Sequence, residues 1–358
     1  MRGIIETSEV AVLENLTEIA SSNIKKTYRV TKMLVGADVI DEFKFNKLSI
    51  NYSNLYNWLL PSSIKIDQSW DNHETTIIHT PPENIEVELN ENFKLKVSFG
   101  YTISHSYHVK DFTIPQDASL ILTSKTPYSF EELFEKHDFL KYFLILFTGI
   151  PIYPLSILVA RDEKFMAVFP DLIFPKRINK NYEPFKMNFL FPRMKGEFDA
   201  VMKRWFELCD SYKNSIDLFF SSILNSNFML LEIKFLRLAS VLEAFHREKN
   251  PGKKNMTFKI RIKEIIQSHP NLLSLIEDVD QFSKQVLDVR NYYAHGFLKE
   301  NEKFIPSNMD LIFITKKLKL VIIFCLMNEL PLNKEEINEF YTKTIQQFKN
   351  EEKLNRIK

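Results

Sequence analysis

The chain has 358 residues, more than one hydrophobic core usually serves, so two domains are expected. Its composition, 45% hydrophobic, 26% charged and 13% aromatic with seven glycines, is that of a soluble globular protein. A formal charge of +1 excludes a global attraction to nucleic acid or anionic membrane and leaves only local patches for polyanions.

The chain start, "MRGIIETSEV", carries acids and polar residues where a signal peptide needs an apolar core, so export is not expected. The next hundred or so residues read mainly as strands. "YRVTKMLV", "FNKLSINYSNL", "TTIIHT", "NIEVELN", "FKLKVSFGYTI" and "SYHVKDFTI" are β-branched or aromatic runs broken by Asn, Pro, Asp and Gly. Short antiparallel strands of this kind predict a sandwich or a curved open sheet. "SFEELFEKHDFLKYFLILF" then has helical spacing, with Ser129 as N-cap ahead of Glu131 and Glu132. The uncharged run Tyr142 to Ala160 is long enough to span a membrane, but Gly149, Pro151 and Pro154 cut it. It reads as a buried helix end, a turn and a buried strand. With "SILVARDEKFMAVFP" it places one more hairpin at the edge of the first domain.

From about Lys195 the pattern turns helical. "NFMLLEIKFLRLASVLEAFHREKN" puts Leu231, Phe235, Leu238, Leu242 and Phe245 on one face, and "NPGKKN" ends it. "MTFKIRIKEIIQSH" is a second helix. "PNLLSLIEDVDQFSKQVLDVRNYYAH" is a third, with Pro270 in its first turn, and "NMDLIFITKKLKLVIIFCLMNEL" a fourth, stopped before Pro331. The charged tail is helical at least in part. The reading is thus an α+β chain of two domains, a β-rich one over 1–194 and an all-α bundle over 195–358.

Several chemistries are absent. The glycines stand at positions 3, 36, 100, 149, 196, 252 and 296, which leaves no phosphate-cradling loop, dinucleotide fingerprint or nucleophile elbow. His105 and His108, three apart in a strand, point to opposite faces, and His73 and His79 have no ligand spacing, so no metal or cofactor is expected. Cys209 and Cys325 are too far apart for a disulfide framework or a four-thiolate zinc site and suit a reducing cytoplasm.

The most informative stretch is "DVRNYYAHGF" at the end of the third helix. It contains Arg-x4-His, Arg290 and His295, with Asn291 after the arginine. Residues five apart on a straight helix diverge by about 140°, so convergence needs a bend or a second chain. Gly296 is a natural left-handed C′ residue that would end the helix and leave the imidazole at its terminus. The group suits metal-free RNA cleavage. His295 can take the proton of a ribose 2′-hydroxyl, and Arg290 can hold the phosphate oxygens as charge builds up. Asn291 can orient either one. Tyr292 and Tyr293 are less specific, one packing into the bundle and the other available to stack on a base. Spacing alone favours a plainer explanation, since cations in a last helical turn are stabilised by the helix dipole.

The context shifts that balance. Four helices with the motif at the end of the third, preceded by "LRLASVLEAFHRE", resemble the HEPN superfamily (higher eukaryote and prokaryote nucleotide-binding domains). Its ribonuclease members carry Arg-x4-6-His with a polar residue after the arginine. "VRNYYAHG" fits that pattern, "LEAFHR" resembles the matching segment of ApeA-like HEPN proteins of bacterial anti-phage defence, and "YRVTKMLVGADV" with "FNKLSINYSNLYNWL" resembles their amino-terminal domain. The resemblance implies a homodimer or larger homo-oligomer with two motifs facing one cleft. It also implies host RNA, tRNA in particular, as substrate, and a first domain that senses a phage trigger or restrains the nuclease. It departs at two places. Family members carry additional strands before "GIIETSE", so the first sheet is expected to be short at its start. Phe297 stands where HEPN toxins silenced by nucleotidyltransferases carry a tyrosine, so that control is disfavoured.

A local basic stretch, Arg247, Lys249, Lys253, Lys254, Lys259, Arg261 and Lys263, is a candidate for RNA phosphate, with a solvated helical face as the plainer explanation. Glu243 is a second-rank candidate, a carboxylate able to hold Arg290 or His295. The leading expectation is a cytoplasmic endoribonuclease that needs neither metal nor membrane. The alternatives are a non-catalytic HEPN protein that dimerises and docks a partner or nucleotide, and a strand-rich ligand- or carbohydrate-binding domain assembled by the bundle. Trp58 and Trp70 permit the last but fit a buried core better.

Overall fold

A computed structural model of the chain describes residues 2–4, 10–22, 25–36, 43–69, 73–105, 112–161, 163–170, 184–225, 229–253, 255–295 and 306–357, a few of them by backbone alone. It divides into two compact units, Met1–Pro192 and Arg193–Lys358.

The first unit contains strands β1 (Arg2–Ile4), β2 (Val10–Ser21), β3 (Lys26–Val35) and β4 (Lys44–Tyr52), the short helix α1 (Leu55–Leu59), and β5 (Ile64–Ser69) and β6 (Glu74–His79). There follow β7 (Ile85–Glu88), β8 (Phe93–Tyr101), β9 (Ser104–His105), β10 (Phe112–Thr113), β11 (Gln116–Ser129), helix α2 (Phe130–Thr148), β12 (Pro154–Arg161) and β13 (Lys164–Pro170). Nine strands form one antiparallel sheet in the order β1-β2-β3-β13-β12-β4-β11-β8-β7; β5-β6 and β9-β10 are separate ribbons. Of the two architectures open at the level of sequence, the open sheet is the one observed.

Alternation explains which face is covered. Ala118, Leu120 and Leu122 of β11, Leu48 and Ile50 of β4, and Leu95 and Val97 of β8 are buried, while Ser119, Ile121 and Lys96 between them are more exposed. Helix α2 packs on β4 and β11. Ser129 accepts from the Glu132 backbone N–H while the Glu132 carboxylate accepts from the Ser129 N–H at 2.9 Å, a complete capping box. The second half of α2 is buried nearly all round, as an interior helix must be. It ends at Gly149, whose φ of 75° is the left-handed cap geometry, and β12 follows. The uncharged run is therefore helix end, turn and strand. No described helix is long and apolar enough to cross a membrane.

Two expectations for this unit are corrected. The β12–β13 hairpin is not at an edge: it lies in mid-sheet, between β3 and β4. Strand β11, paired between β4 and β8, is an addition to the strands read from sequence: "ASLILTS" follows directly on turn-like residues and its outward face is itself partly apolar. His108, Trp70 and most of "SYHVKDFTI" lie outside the described residues.

The second unit contains α3 (Phe198–Ser211), α4 (Lys213–Leu224), α5 (Leu231–Lys249), α6 (Phe258–Gln267), the single turn α7 (Pro270–Leu273), α8 (Val279–His295), α9 (Asn308–Asn328) and α10 (Lys334–Ile357). Phe235, Leu238, Leu242 and Phe245 of α5 are buried as the spacing predicts. The expected single helix over residues 270–295 is in fact two. Leu272, Leu275 and Ile276 all turn inward, and Asp278 restarts the chain by accepting from the Gln281 N–H at 2.8 Å, as an N-cap residue does. Helices α3 and α4, not resolved individually in the sequence, precede the four that were, so the motif helix is α8. Cys209 and Cys325 are buried and not in a disulfide, and burial pushes the Cys325 thiol up to about 12.

Candidate active site

Helix α8 packs against α5 and α6 and carries Arg290 and Asn291 near its last turn, with His295 as its final residue. Only the backbone of His295 is described; Gly296 and Phe297 lie outside the described residues. Arg290 is held from two sides. Its Nη2 donates to Glu243 Oε2 of α5 at 3.2 Å, and its guanidinium lies 4.5 Å from the centre of the Phe258 ring of α6. Glu243 is mostly buried and shares its other oxygen with Arg247, whose Nη2 donates at 2.7 Å. One carboxylate thus binds two guanidiniums, and Phe258 offers a π-face to that of Arg290. Among the described residues no acceptor meets Nε or Nη1 of Arg290, so part of its fork is left for an anion.

Asn291, Tyr292 and Tyr293 are half-buried. The two tyrosine rings meet edge to face with centroids 4.9 Å apart. Burial, and then the charge of Glu232 on α5, raise the Tyr293 hydroxyl above its usual value. The last turn of α8 therefore lies within electrostatic reach of the first turn of α5.

The basic stretch divides. Arg261 is 1% exposed and cannot be a surface phosphate ligand. Its Nε and Nη2 donate to the carbonyls of Met256 and Lys253, and its Nη1 donates to His246 Nδ1 at 2.9 Å. A guanidinium only donates, so His246 Nδ1 is the acceptor and its Nε2 carries the hydrogen donated to Glu264 at 2.9 Å. Arg261 and His246 are the buried polar clamp between α5, the loop after it and α6, which the sequence did not reveal. Arg247, Lys249 and Lys253 are exposed, but each is paired, with Glu243, Glu329 and Glu264. Lys263 pairs with Asp280 at 2.7 Å, Lys259 is half-buried, and Lys254 lies outside the described residues.

A cleft of about 380 Å³ opens nearby, lined among others by His246, Lys249, Lys253, Glu264 and His269; Arg290 does not line it. Among the described residues no group of three His, Cys, Asp or Glu side chains is placed to hold a metal ion.

Residues 2–205 match the ApeA N-terminal domain 1 family, and residues 214–336 match the Apea-like HEPN family. No curated protein and no solved structure matches the chain. The second match takes in α4 through α9, and with them Glu243, Phe258 and the Arg290–His295 turn. With the first match covering more than half of the sequence, the chain belongs to the ApeA-like HEPN family.

Proposed function

We propose that this protein is a metal-independent endoribonuclease in which His295 is the base and Arg290 the phosphate-binding cation. The observation that carries the reading is the setting of Arg290. Glu243 and Phe258 fix its guanidinium while Nε and Nη1 remain without a protein acceptor among the described residues, one helical turn before His295. A cation held in place before substrate arrives costs little reorganisation as the phosphate gains charge.

In the reaction His295 takes the 2′-hydroxyl proton and the 2′-oxygen attacks the adjacent phosphorus. The P–O5′ bond breaks and the 5′-oxygen takes a proton from solvent, giving a 2′,3′-cyclic phosphate and a 5′-hydroxyl, while the imidazolium of His295 returns its proton to solvent. Arg290 binds the non-bridging oxygens, and Asn291, beside it on α8, orients the phosphate or the imidazole. Within one straight helix Arg290 and His295 diverge, so the active form is a homodimer or larger homo-oligomer in which the arginine of one chain serves the histidine of another. The substrate is host RNA, tRNA in particular, cut in the cytoplasm to stop phage growth. The β-rich unit restrains the nuclease until it meets a phage trigger.

The test is cleavage of total tRNA by purified wild-type protein and by His295→Ala. Wild-type cleavage that is lost in the variant supports the reading. Equal, intact tRNA with both proteins, in the presence of infected-cell extract as well as without it, means a binding rather than a catalytic bundle.

A further inference from the structure

Carboxylates answer most of the cations of the helical unit. Lys203 pairs with Asp199, Lys213 with Asp217, Lys317 with Glu352 and Lys349 with Glu277. Lys234 and Arg237 of α5 and Lys319 of α9 are exceptions: all three are half-buried, and none has a carboxylate partner among the described residues.

These three belong together. Lys234 and Arg237 stand on successive turns of one face of α5, and Lys316 and Lys319 on successive turns of α9, against which α5 packs. Lys249, at the end of α5, pairs with Glu329, just past the end of α9, so the two helices run in the same direction. That brings Lys234 level with Lys316. The ammoniums feel one another: burial, and then Lys316, hold Lys234 below its usual value, and burial, Lys234 and Lys316 do the same to Lys319. Lys316 alone has an acid, Glu351. Half-buried like charges without counter-ions cost stability, and a bound anion relieves that cost.

We propose that Lys234, Arg237 and Lys319 form a phosphate-binding track that holds the RNA backbone next to the Arg290–His295 turn. Three separate donors along two parallel helices suit successive phosphodiesters better than one compact anion. The track begins in the first turn of α5; Glu232, in the same turn but about 200° round the helix from Lys234, lies within electrostatic reach of Tyr293 at the end of α8. A strand that runs from the motif past the N-terminal end of α5 has its next phosphates to place on the track. The inference rests on the nuclease reading for its choice of RNA, but not for the presence of an anion site.

The test measures binding of full-length protein to a short fluorescent 2′-O-methyl RNA, which lacks the attacking hydroxyl, over a range of salt concentrations. Lys234→Gln/Lys319→Gln should remove two phosphate contacts at about 0.7 each in the log–log salt slope, lowering it by about 1.4 and the affinity by roughly tenfold. Lys234→Arg/Lys319→Arg should retain the slope, which separates charge from folding. Lys253→Gln, whose charge Glu264 already meets, should leave it within error. An unchanged slope and affinity in a Gln variant with wild-type thermal melting overturns the track, as does wild-type protein that binds no RNA. Tighter binding to ATP or polyglutamate than to RNA, lost in the same variant, overturns RNA as its ligand. The probe cannot be cut, so a protein that binds it through these lysines yet leaves natural tRNA intact keeps the track and loses the nuclease.

Discussion

Glu243 on α5 accepts from Arg290 on α8 through one carboxylate oxygen and from Arg247, one turn along its own helix, through the other. Charge balance makes this a positioning contact for Arg290. Both partners are partly exposed, so the contact adds about 1 kcal/mol or less to stability. Glu243→Gln should lower kcat for RNA cleavage about tenfold, equivalent to about 1.4 kcal/mol, with little change in KM and a melting temperature close to wild type. Glu243→Asp should recover part of kcat. A loss confined to stability would make Glu243 a structural residue only.

Arg261 was a candidate RNA ligand in the sequence and is interior in the fold. Arg261→Met should leave His246 Nδ1 and the Met256 and Lys253 carbonyls without their donor, costing about 3 kcal/mol. Urea unfolding of the full chain reads this directly. A variant as stable as wild type with a reduced RNA salt slope would return Arg261 to the binding surface.

His137 gives the first unit a pH dependence. It is buried in α2, stacked against Phe134 at 4.3 Å and Tyr52 at 5.2 Å, and among the described residues neither ring nitrogen has a hydrogen-bond partner. Asp138 Oδ1 lies 3.3 Å from Nδ1 and is itself tied to Lys141. Burial lowers the imidazole from 6.5 to about 4. The unfolded chain therefore binds the proton first. Stability is full above pH 6.5 and falls by about 1.4 kcal/mol per pH unit as the pH drops from there toward 4. His137→Phe should flatten that slope in denaturant melts at pH 7.5 and pH 5; an unchanged slope would assign it to other groups.

Helical divergence of Arg290 and His295 predicts complementation between chains. Mixed Arg290→Ala and His295→Ala proteins, each inactive alone, should recover part of the wild-type cleavage after subunit exchange, because one shared site is then intact. No recovery from verified mixed oligomers would put both residues of a site in one chain.

Much of this was legible because the signals were local. The Ser129 cap, the Gly149 stop, the α5 stripe and the Arg-x4-His spacing are each contained in one short stretch of sequence, where propensity and capping decide. What was missed is tertiary. The central position of the β12–β13 hairpin depends on strand pairing across the whole unit, and the break before α8 depends on Leu275 and Ile276 finding the core. A basic run read along the sequence pointed at Lys249 and Lys253, which the fold neutralises. Lys234 and Lys319, which have no acid partner among the described residues, are far apart in sequence and meet where α5 packs on α9.

The most direct measurement is of the ends produced when the protein, activated as required, cuts tRNA in excess chelator. The account predicts cleavage that persists without divalent metal, leaves 2′,3′-cyclic phosphate and 5′-hydroxyl ends, and vanishes in His295→Ala. Cleavage that stops on chelation and leaves 3′-hydroxyl and 5′-phosphate ends, or that continues unchanged in His295→Ala, would contradict it.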